Sequence, residues 1–140
     1  MCLNEMTPVE QMRDPEATRQ TLIGAIADLN PDSAQWWQYN VSHRQFLLRL
    51  FHSPTSDWLM IATFSVQHLC GTPHWNQPEL QFTIEPDPRC ADESRWVVTD
   101  ANAGFEMTCR NLYWGRNVGR SDESGWFSCN AAPGDRSADF

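Results

Sequence analysis

The first apolar pattern in the chain has the spacing of an amphipathic helix. Leu22, Ile26 and Leu29 recur at positions i, i+4 and i+7, and Ile23 widens the stripe that they form. Such a stripe lets one side of a helix pack against another element while the opposite side stays in water. The pattern therefore predicts a helix over residues 15–29.

The ends of this helix carry their own signals. Asp14 is placed to accept a hydrogen bond from a free backbone N–H of the first turn, and Pro15 has the backbone angle that a first helical residue needs. Glu16 adds a negative charge at the positive end of the helix dipole. Asn30 and Pro31 end the pattern, because proline does not continue a helix.

Downstream of the helix, apolar residues repeat with the period of two that is typical of β-strands. Gly, Pro, Ser, Asp and Asn cluster between the alternating runs and favour turns. Short links between consecutive strands favour antiparallel pairing. We therefore predict an α+β fold, in which the N-terminal helix packs on one face of an antiparallel meander sheet of about five strands. The five runs cover residues 46–50, 58–69, 80–85, 96–98 and 105–110.

The last of these runs has the clearest alternation. In a strand Phe105, Met107 and Cys109 point one way, and the polar residues between them point the other way. If one face of the strand is buried, the apolar residues are expected on that face, in the core, and the polar residues on the exposed face. The residues expected to be exposed are Glu106, Thr108 and Arg110.

Length and local composition predict one domain. A chain of 140 residues is long enough to bury a hydrophobic core without disulfide or metal staples. We expect an N-terminal arm over residues 1–13, a single α+β domain over residues 14–118 and an irregular or disordered C-terminal tail over residues 119–140. The tail is rich in Gly, Ser, Asp and Asn, and within it Trp126 and Phe127 are candidates for docking back on the domain.

The chain is acidic, and its basic residues are arginines without a single lysine. Eighteen Asp and Glu residues against ten arginines give a formal net charge of -8. This charge repels the phosphates of nucleic acids and anionic lipid headgroups, so we expect neither nucleic acid nor a membrane as a partner, and a basic protein fits better. No basic region followed by an apolar run is visible, so we expect a cytoplasmic location.

The cysteine and histidine pattern does not predict a metal, cofactor or catalytic site. The five cysteines are an odd number and contain no C-x-x-C pair. His68, Cys70 and His74 lie close together in sequence and have the chemistry of zinc ligands, but nothing in the spacing predicts a fourth ligand. Cys70 and Cys109 fall on positions that strand alternation assigns to the core, where a thiol is inert. We therefore expect no catalytic residue, no metal and no cofactor.

Aromatic residues are the strongest indication of binding, since seven of the 140 residues are tryptophan. Adjacent strand residues point to opposite faces, so at least one of Trp36 and Trp37 is expected outside the core. Exposed aromatic rings beside polar side chains are enriched in protein interfaces. The alternative is that the second ring packs at the edge between helix and sheet. The candidate binding residues are Trp36, Trp37, Tyr39, Trp75 and Trp114.

Two functions of different class fit these features. The first is a small acidic cytosolic protein-interaction module, such as an inhibitor, an immunity-type protein or an adaptor, that binds a partner through an aromatic-rich surface. The alternative is a small-molecule-binding or enzymatic α+β domain with a site between helix and sheet. A flat patch containing Trp36 or Trp37 would favour the first, and a deep apolar pocket with polar groups would favour the second. The polar residues of the alternative site are His68, His74, Glu106 and Arg110.

Overall fold

The computed structural model describes residues 14–42, 44–118 and 121–122. Within these ranges the chain forms one helix and eight strands. The predicted arm, and the predicted tail apart from residues 121–122, lie outside the described residues. The helix is α1 (Pro15–Leu29), and the strands are β1 (Ser33–Asn40), β2 (Gln45–His52), β3 (Asp57–Cys70), β4 (His74–Asn76), β5 (Gln81–Asp87), β6 (Cys90–Asp100), β7 (Phe105–Val118) and β8 (Ser121–Asp122).

Helix α1 begins and ends where the capping residues indicate. Asp14 Oδ1 accepts a hydrogen bond from the backbone N–H of Ala17 at 3.2 Å. At the other end Asn30 adopts a left-handed backbone with a φ of 55°, and its N–H donates to the carbonyl of Ile26 at 2.9 Å. The helix predicted over residues 15–29 is confirmed, because local side-chain chemistry fixes both of its ends. The described residues contain no helix that is both long and apolar enough to cross a membrane.

All the strands join one antiparallel sheet, but their number and order differ from the predicted meander. Seven strands follow the order β4-β1-β2-β3-β7-β6-β5, and β8 pairs with the end of β7. Strand β4 follows β3 in the chain but pairs with β1, on the edge of β1 that faces away from β2. Strand β7 pairs with β3 and with β6, and so connects β4-β1-β2-β3 to β6-β5. The α+β class and the antiparallel sheet are confirmed, whereas the count of about five strands is wrong. The sequence pattern did not predict strands β1 and β4. In β1 two adjacent aromatic residues interrupt the period of two, and β4 is only three residues long.

The helix packs on one face of this sheet, which we term the inner face. Leu22 of α1 is fully buried in the main hydrophobic cluster. Two polar contacts also tie the helix to the sheet: Arg19 Nε donates to the carbonyl of Phe82 at 2.8 Å, and Arg116 Nη1 donates to Asp28 Oδ2 at 2.7 Å. The helix thus contacts β3, β5 and β7. Sheet residues of the cluster include Phe46, Leu48, Leu50, Leu59, Ile61, Val98, Phe105, Met107 and Leu112.

The opposite face, which we term the outer face, has an apolar cluster of its own. It lies on β1, β2 and β3, where neighbouring strands bury residues on both sides of the sheet. Apolar residues therefore occupy consecutive positions, and the period of two is lost in these strands. The buried members are Leu47, Trp58, Met60 and Ala62, and the partly buried residues packed against them are Trp37, Phe51 and Phe64.

The alternation predicted for residues 105–110 is confirmed on its apolar side and at Glu106, whereas Thr108 is buried and Arg110 is half-buried. Glu106 is exposed, as predicted. Thr108 is only 6% exposed, because β7 has a neighbour on each side and Thr108 pairs with His68 of β3 and Val97 of β6. Polar residues at the centre of a sheet can thus be buried by their cross-strand neighbours. The three buried apolar residues are Phe105, Met107 and Cys109.

Candidate functional site

Three of the five candidate binding aromatics belong to the packing of the inner face. Trp36 and Trp75 lie against phenylalanines of the inner cluster, with ring centroids 5.4 and 5.0 Å apart respectively. Trp75 Nε1 donates to Asp100 Oδ2 at 2.8 Å, and Trp114 Nε1 donates to Thr21 Oγ1 of the helix at 3.3 Å. A half-buried tryptophan whose N–H has an acceptor, as in Trp75 and Trp114, is typical of a structural position. The Nε1 of Trp36 is buried without a hydrogen-bond partner among the described residues.

Trp36 and Trp37 lie on opposite faces of the sheet. The register of β1 against β2 shifts between Trp36 and Gln38, so Trp37 sits in a β-bulge. Trp36 packs on the inner cluster and Trp37 on the outer cluster. Of the two, Trp37 is the ring outside the inner core. It is nevertheless half-buried, because the outer face has apolar residues against which it packs.

An arginine lies between two aromatic rings on the outer face. The guanidinium carbon of Arg49 is 4.7 Å from the ring centroid of Trp37 and 4.6 Å from that of Phe51. Both distances lie within the range of cation–π attraction. Arg49 Nη2 also donates to Oε1 of Gln35, its cross-strand partner, at 3.2 Å. We term Trp37, Arg49 and Phe51 the outer aromatic patch.

The guanidinium of Arg49 has no acidic neighbour in the part of the chain that the structure describes. Desolvation lowers the pKa of Arg49, but an arginine pKa starts so high that the group stays charged at neutral pH. Among the described residues, Arg49 makes no ion pair, and its Nε is buried without a hydrogen-bond partner. A buried charged donor without an acceptor is unfavourable. The patch therefore combines aromatic area with a cation that makes no ion pair among the described residues.

An open groove borders the patch on the side of β4. Its volume is about 420 Å³, and Phe51 belongs both to the groove and to the patch. The hydroxyl of Ser53 donates to the carboxylate of Asp32, and this bond lowers the pKa of Asp32. The groove thus has an ionised acid close to the aromatic wall. The lining residues are Asp32, Ser33, Phe51, Ser53, His74, Asn76 and Gln77.

Tyr39 lies apart from the outer aromatic patch. It pairs with Phe46 across β1 and β2, and directly paired residues share a face, so Tyr39 belongs to the inner side of the sheet. Tyr39 is 44% exposed, and Val41 in the following turn is 75% exposed. The end of the β1–β2 hairpin therefore has a small apolar surface on the side opposite the patch.

The polar candidates do not assemble at one place. His74 lines the groove, whereas His68 and Glu106 meet on the outer face, with His68 Nε2 3.4 Å from Glu106 Oε1. Arg110 was expected to be exposed but is half-buried. Its guanidinium bonds Asp87 Oδ2 of β5 at 2.9 Å and Glu93 Oε1 of β6 at 2.6 Å. The hydrogen bond to Asp87 raises the pKa of Arg110. Arg110 thus forms ion pairs with acids of β5 and β6, and its guanidinium is not bonded to His68 or His74.

Side chains fill the space between helix and sheet, where the alternative function would need a pocket. Leu22, Leu29 and Leu112 are each at most 3% exposed. Trp114 bridges the two layers through its hydrogen bond to Thr21. A ligand-sized cavity would require these side chains to move.

Cys70 and Cys109 differ in environment, contrary to the expectation that both lie in the core. Cys109 is fully buried, and desolvation raises the pKa of its thiol, so it is not a nucleophile at neutral pH. Cys70 is exposed, because a bulge between Val66 and His68 shifts the alternation of β3. The ligand atoms of His68, Cys70 and Glu106 all lie within 4.8 Å of one another.

The sequence prediction missed Arg49 and Phe51. One signal was available, since Arg49 is the only polar residue between the two ends of the strand QFLLRLFH. A charged residue in such a strand needs either solvent or an aromatic or acidic partner. The identity of that partner depends on strand pairing, which the sequence pattern does not reveal.

Comparison of the chain with models of protein families, with curated proteins and with solved structures yields no match.

Proposed function

We propose that this chain is a small acidic protein-interaction module, of the inhibitor, immunity-type or adaptor kind, that binds a protein partner with its outer aromatic patch. The observation that carries the proposal is Arg49, whose guanidinium lies between Trp37 and Phe51 and makes no ion pair among the described residues. Tryptophan and arginine are enriched among the residues that dominate binding energy at protein interfaces. The proposed compartment is the cytoplasm, which fits the free state of every cysteine among the described residues.

The patch supports binding because it is already ordered. Packing on the outer cluster holds the rings of Trp37 and Phe51, so little side-chain entropy is lost when a partner binds. The Nη groups of the Arg49 guanidinium are charged donors that can hydrogen-bond to a carboxylate of a partner. We therefore propose that the contact residue of the partner is an aspartate or a glutamate.

The charge of the whole chain acts at longer range than this contact. A net charge of -8 attracts a partner that is basic overall and raises the rate of encounter. Arg49 then selects one carboxylate within the basic surface, and the neighbouring groove of about 420 Å³ has room for the residues that flank it. The groove is open and polar, and the helix–sheet space is filled, so these observations favour the interaction module over the alternative, a small-molecule or enzymatic site.

The experiment compares capture of proteins from the native lysate by the parent, by Arg49→Ala and by Arg95→Ala. Arg95 is the matched control, since it also lies in the sheet but already has an acid, Glu85, at 2.6 Å. A captured protein is then purified, and its Kd is measured for all three chains. We expect Arg49→Ala to weaken binding by about 2 kcal/mol or more, roughly thirtyfold, and Arg95→Ala to change Kd little.

Thermal melts of the same variants separate binding from folding. Arg49→Ala is expected to melt close to the parent, because the outer cluster stays intact without the guanidinium. The proposal is contradicted if the captured proteins bind Arg49→Ala as tightly as the parent. It is equally contradicted if Arg95→Ala loses the partner to the same extent as Arg49→Ala.

A further inference from the structure

We propose that His68, Cys70 and Glu106 form a binding site for a single Zn²⁺ ion on the outer face. An imidazole nitrogen, a thiolate sulfur and a carboxylate oxygen are the three ligand types that zinc takes in proteins. The thiolate favours zinc over magnesium and calcium, which prefer oxygen ligands alone. Three protein ligands leave the fourth tetrahedral position to water or to an exogenous ligand.

The distances among the three side chains suit this ion. His68 Nε2 and Glu106 Oε1 are 3.4 Å apart, and all three ligand atoms lie within 4.8 Å of one another. Ligand atoms around a tetrahedral zinc are about 3.3–3.8 Å apart, given metal–ligand bonds of about 2.0–2.3 Å. The longest separation therefore has to close by only about 1 Å. Rotation of exposed side chains supplies that movement without a change in the backbone.

The strand pair holds the ligands on a rigid frame. His68 and Cys70 are alternate residues of β3 and share a face, and the bulge before His68 makes this the face of Glu106, with which Cys70 pairs directly. The next residue, Gly71, has a φ of 134°, and a Cβ there would lie only 2.9 Å from the Cα of Phe105. Since Phe105 is buried in the inner cluster, this close backbone contact fixes the end of β3 against the start of β7.

An ion pair between His68 and Glu106 accounts for only two of the three groups. Asp87, Glu93 and Glu85 each already pair with an arginine, the first two with Arg110 and the third with Arg95. His68, Cys70 and Glu106 are the one group of three or more potential metal ligands that the described residues bring together. The sequence pattern offered His74 as the third ligand, but His74 lines the groove, and Glu106 takes this place because β7 pairs with β3.

The test is titration of Zn²⁺ into the full chain, kept reduced with a phosphine, by calorimetry. The parent is expected to bind one zinc per chain, and His68→Ala, Cys70→Ser and Glu106→Gln are each expected to weaken binding at least about tenfold. Two matched controls, His74→Ala and Cys90→Ser, are expected to bind as the parent does. Co²⁺ is expected to give a thiolate charge-transfer absorption in the parent that Cys70→Ser lacks.

All three ligand residues are exposed, so the variants are expected to fold, which a melt in EDTA checks. The proposal is overturned if the parent binds no zinc at micromolar concentrations of the ion. It is also overturned if zinc binds but the three variants keep the affinity of the parent, or if Cys90→Ser abolishes binding while Cys70→Ser does not.

Discussion

Replacing Asp100 by asparagine tests how a buried carboxylate organises one end of the sheet. Asp100 is fully buried at the end of β6. Its Oδ2 accepts from Trp75 Nε1 and from the backbone N–H of Glu79, both at 2.8 Å, and its Oδ1 accepts from the backbone N–H of Asn102 at 3.2 Å. One side chain thus joins β4, the segment before β5 and the turn before β7.

Asparagine offers one acceptor oxygen in place of two. In either orientation its amide group faces a donor, so at least one part-buried N–H loses its acceptor and the remaining bonds lose the negative charge. A hydrogen bond to a charged group contributes about 1.5–3 kcal/mol, and a buried donor left unpaired costs about 1–3 kcal/mol. We therefore expect Asp100→Asn to lower the free energy of unfolding by about 2–4 kcal/mol. That is a large share of the roughly 5–15 kcal/mol that stabilises a typical domain.

Urea unfolding followed by tryptophan fluorescence measures this effect. Asp92→Asn is the matched control, because Asp92 is exposed on the same strand and its change is expected to stay within about 0.5 kcal/mol. Trp75→Phe, alone and combined with Asp100→Asn, is expected to show coupling of about 0.5 kcal/mol or more between the indole and the carboxylate. If Asp100→Asn unfolds at the same urea midpoint as Asp92→Asn, the carboxylate does not organise this end of the sheet.

Three further substitutions probe the core, the backbone and the response to acid. Phe105→Ala is expected to lower the free energy of unfolding in urea by about 3–5 kcal/mol through loss of a buried ring; a loss below about 1 kcal/mol would contradict its place in the core. Gly71→Ala is expected to lower the free energy of unfolding by more than about 1 kcal/mol, because its φ of 134° and its close backbone contact exclude a Cβ. Its control is Gly24→Ala on the open side of α1, which is expected to be neutral or stabilising. The backbone N–H of Arg89 lowers the pKa of Asp87 below its ordinary 3.8, so the stability that Asp87 contributes is present above that pH and lost as pH falls through the lowered value. Thermal melts at decreasing pH should therefore show the parent converging on Asp87→Asn below about pH 4, and a constant gap would refute this.

Features that depend on neighbours in sequence were predictable, and α1 is the clearest of them. Asp14 and Asn30 act on backbone groups within one turn of their own positions, so the chain itself specifies both ends of the helix. The burial of Phe105 and Met107 followed from alternation within one strand. Thr108 was assigned to solvent for the same reason, and strands that lie on both sides of β7 overrode that pattern.

Features that depend on which strands pair were not predictable. Period-two reasoning assumes that one face of a strand is wet, and β2 violates this where Leu47 is buried on the face opposite to Phe46. A bulge has no clear sequence signature, yet one bulge decides that Cys70 is exposed. The outer aromatic patch needs β1 beside β2, and the three proposed zinc ligands need β3 beside β7. The sequence therefore supplied candidates such as Trp37 and His68 without the partners that complete each group.

The two edges of the sheet determine whether another chain can add a strand to it. Strand β4 covers only the first three residues of β1, and the remaining edge of β1 is broken by the bulge at Trp37. At the other end β5 contains Pro86, which has no N–H to donate, followed by a register shift. Short, bulged or proline-containing edges are poor templates for an added strand, and they protect a sheet from edge-to-edge aggregation. Under the proposed function, a partner therefore contacts side chains of the outer face and does not extend the sheet by β-augmentation.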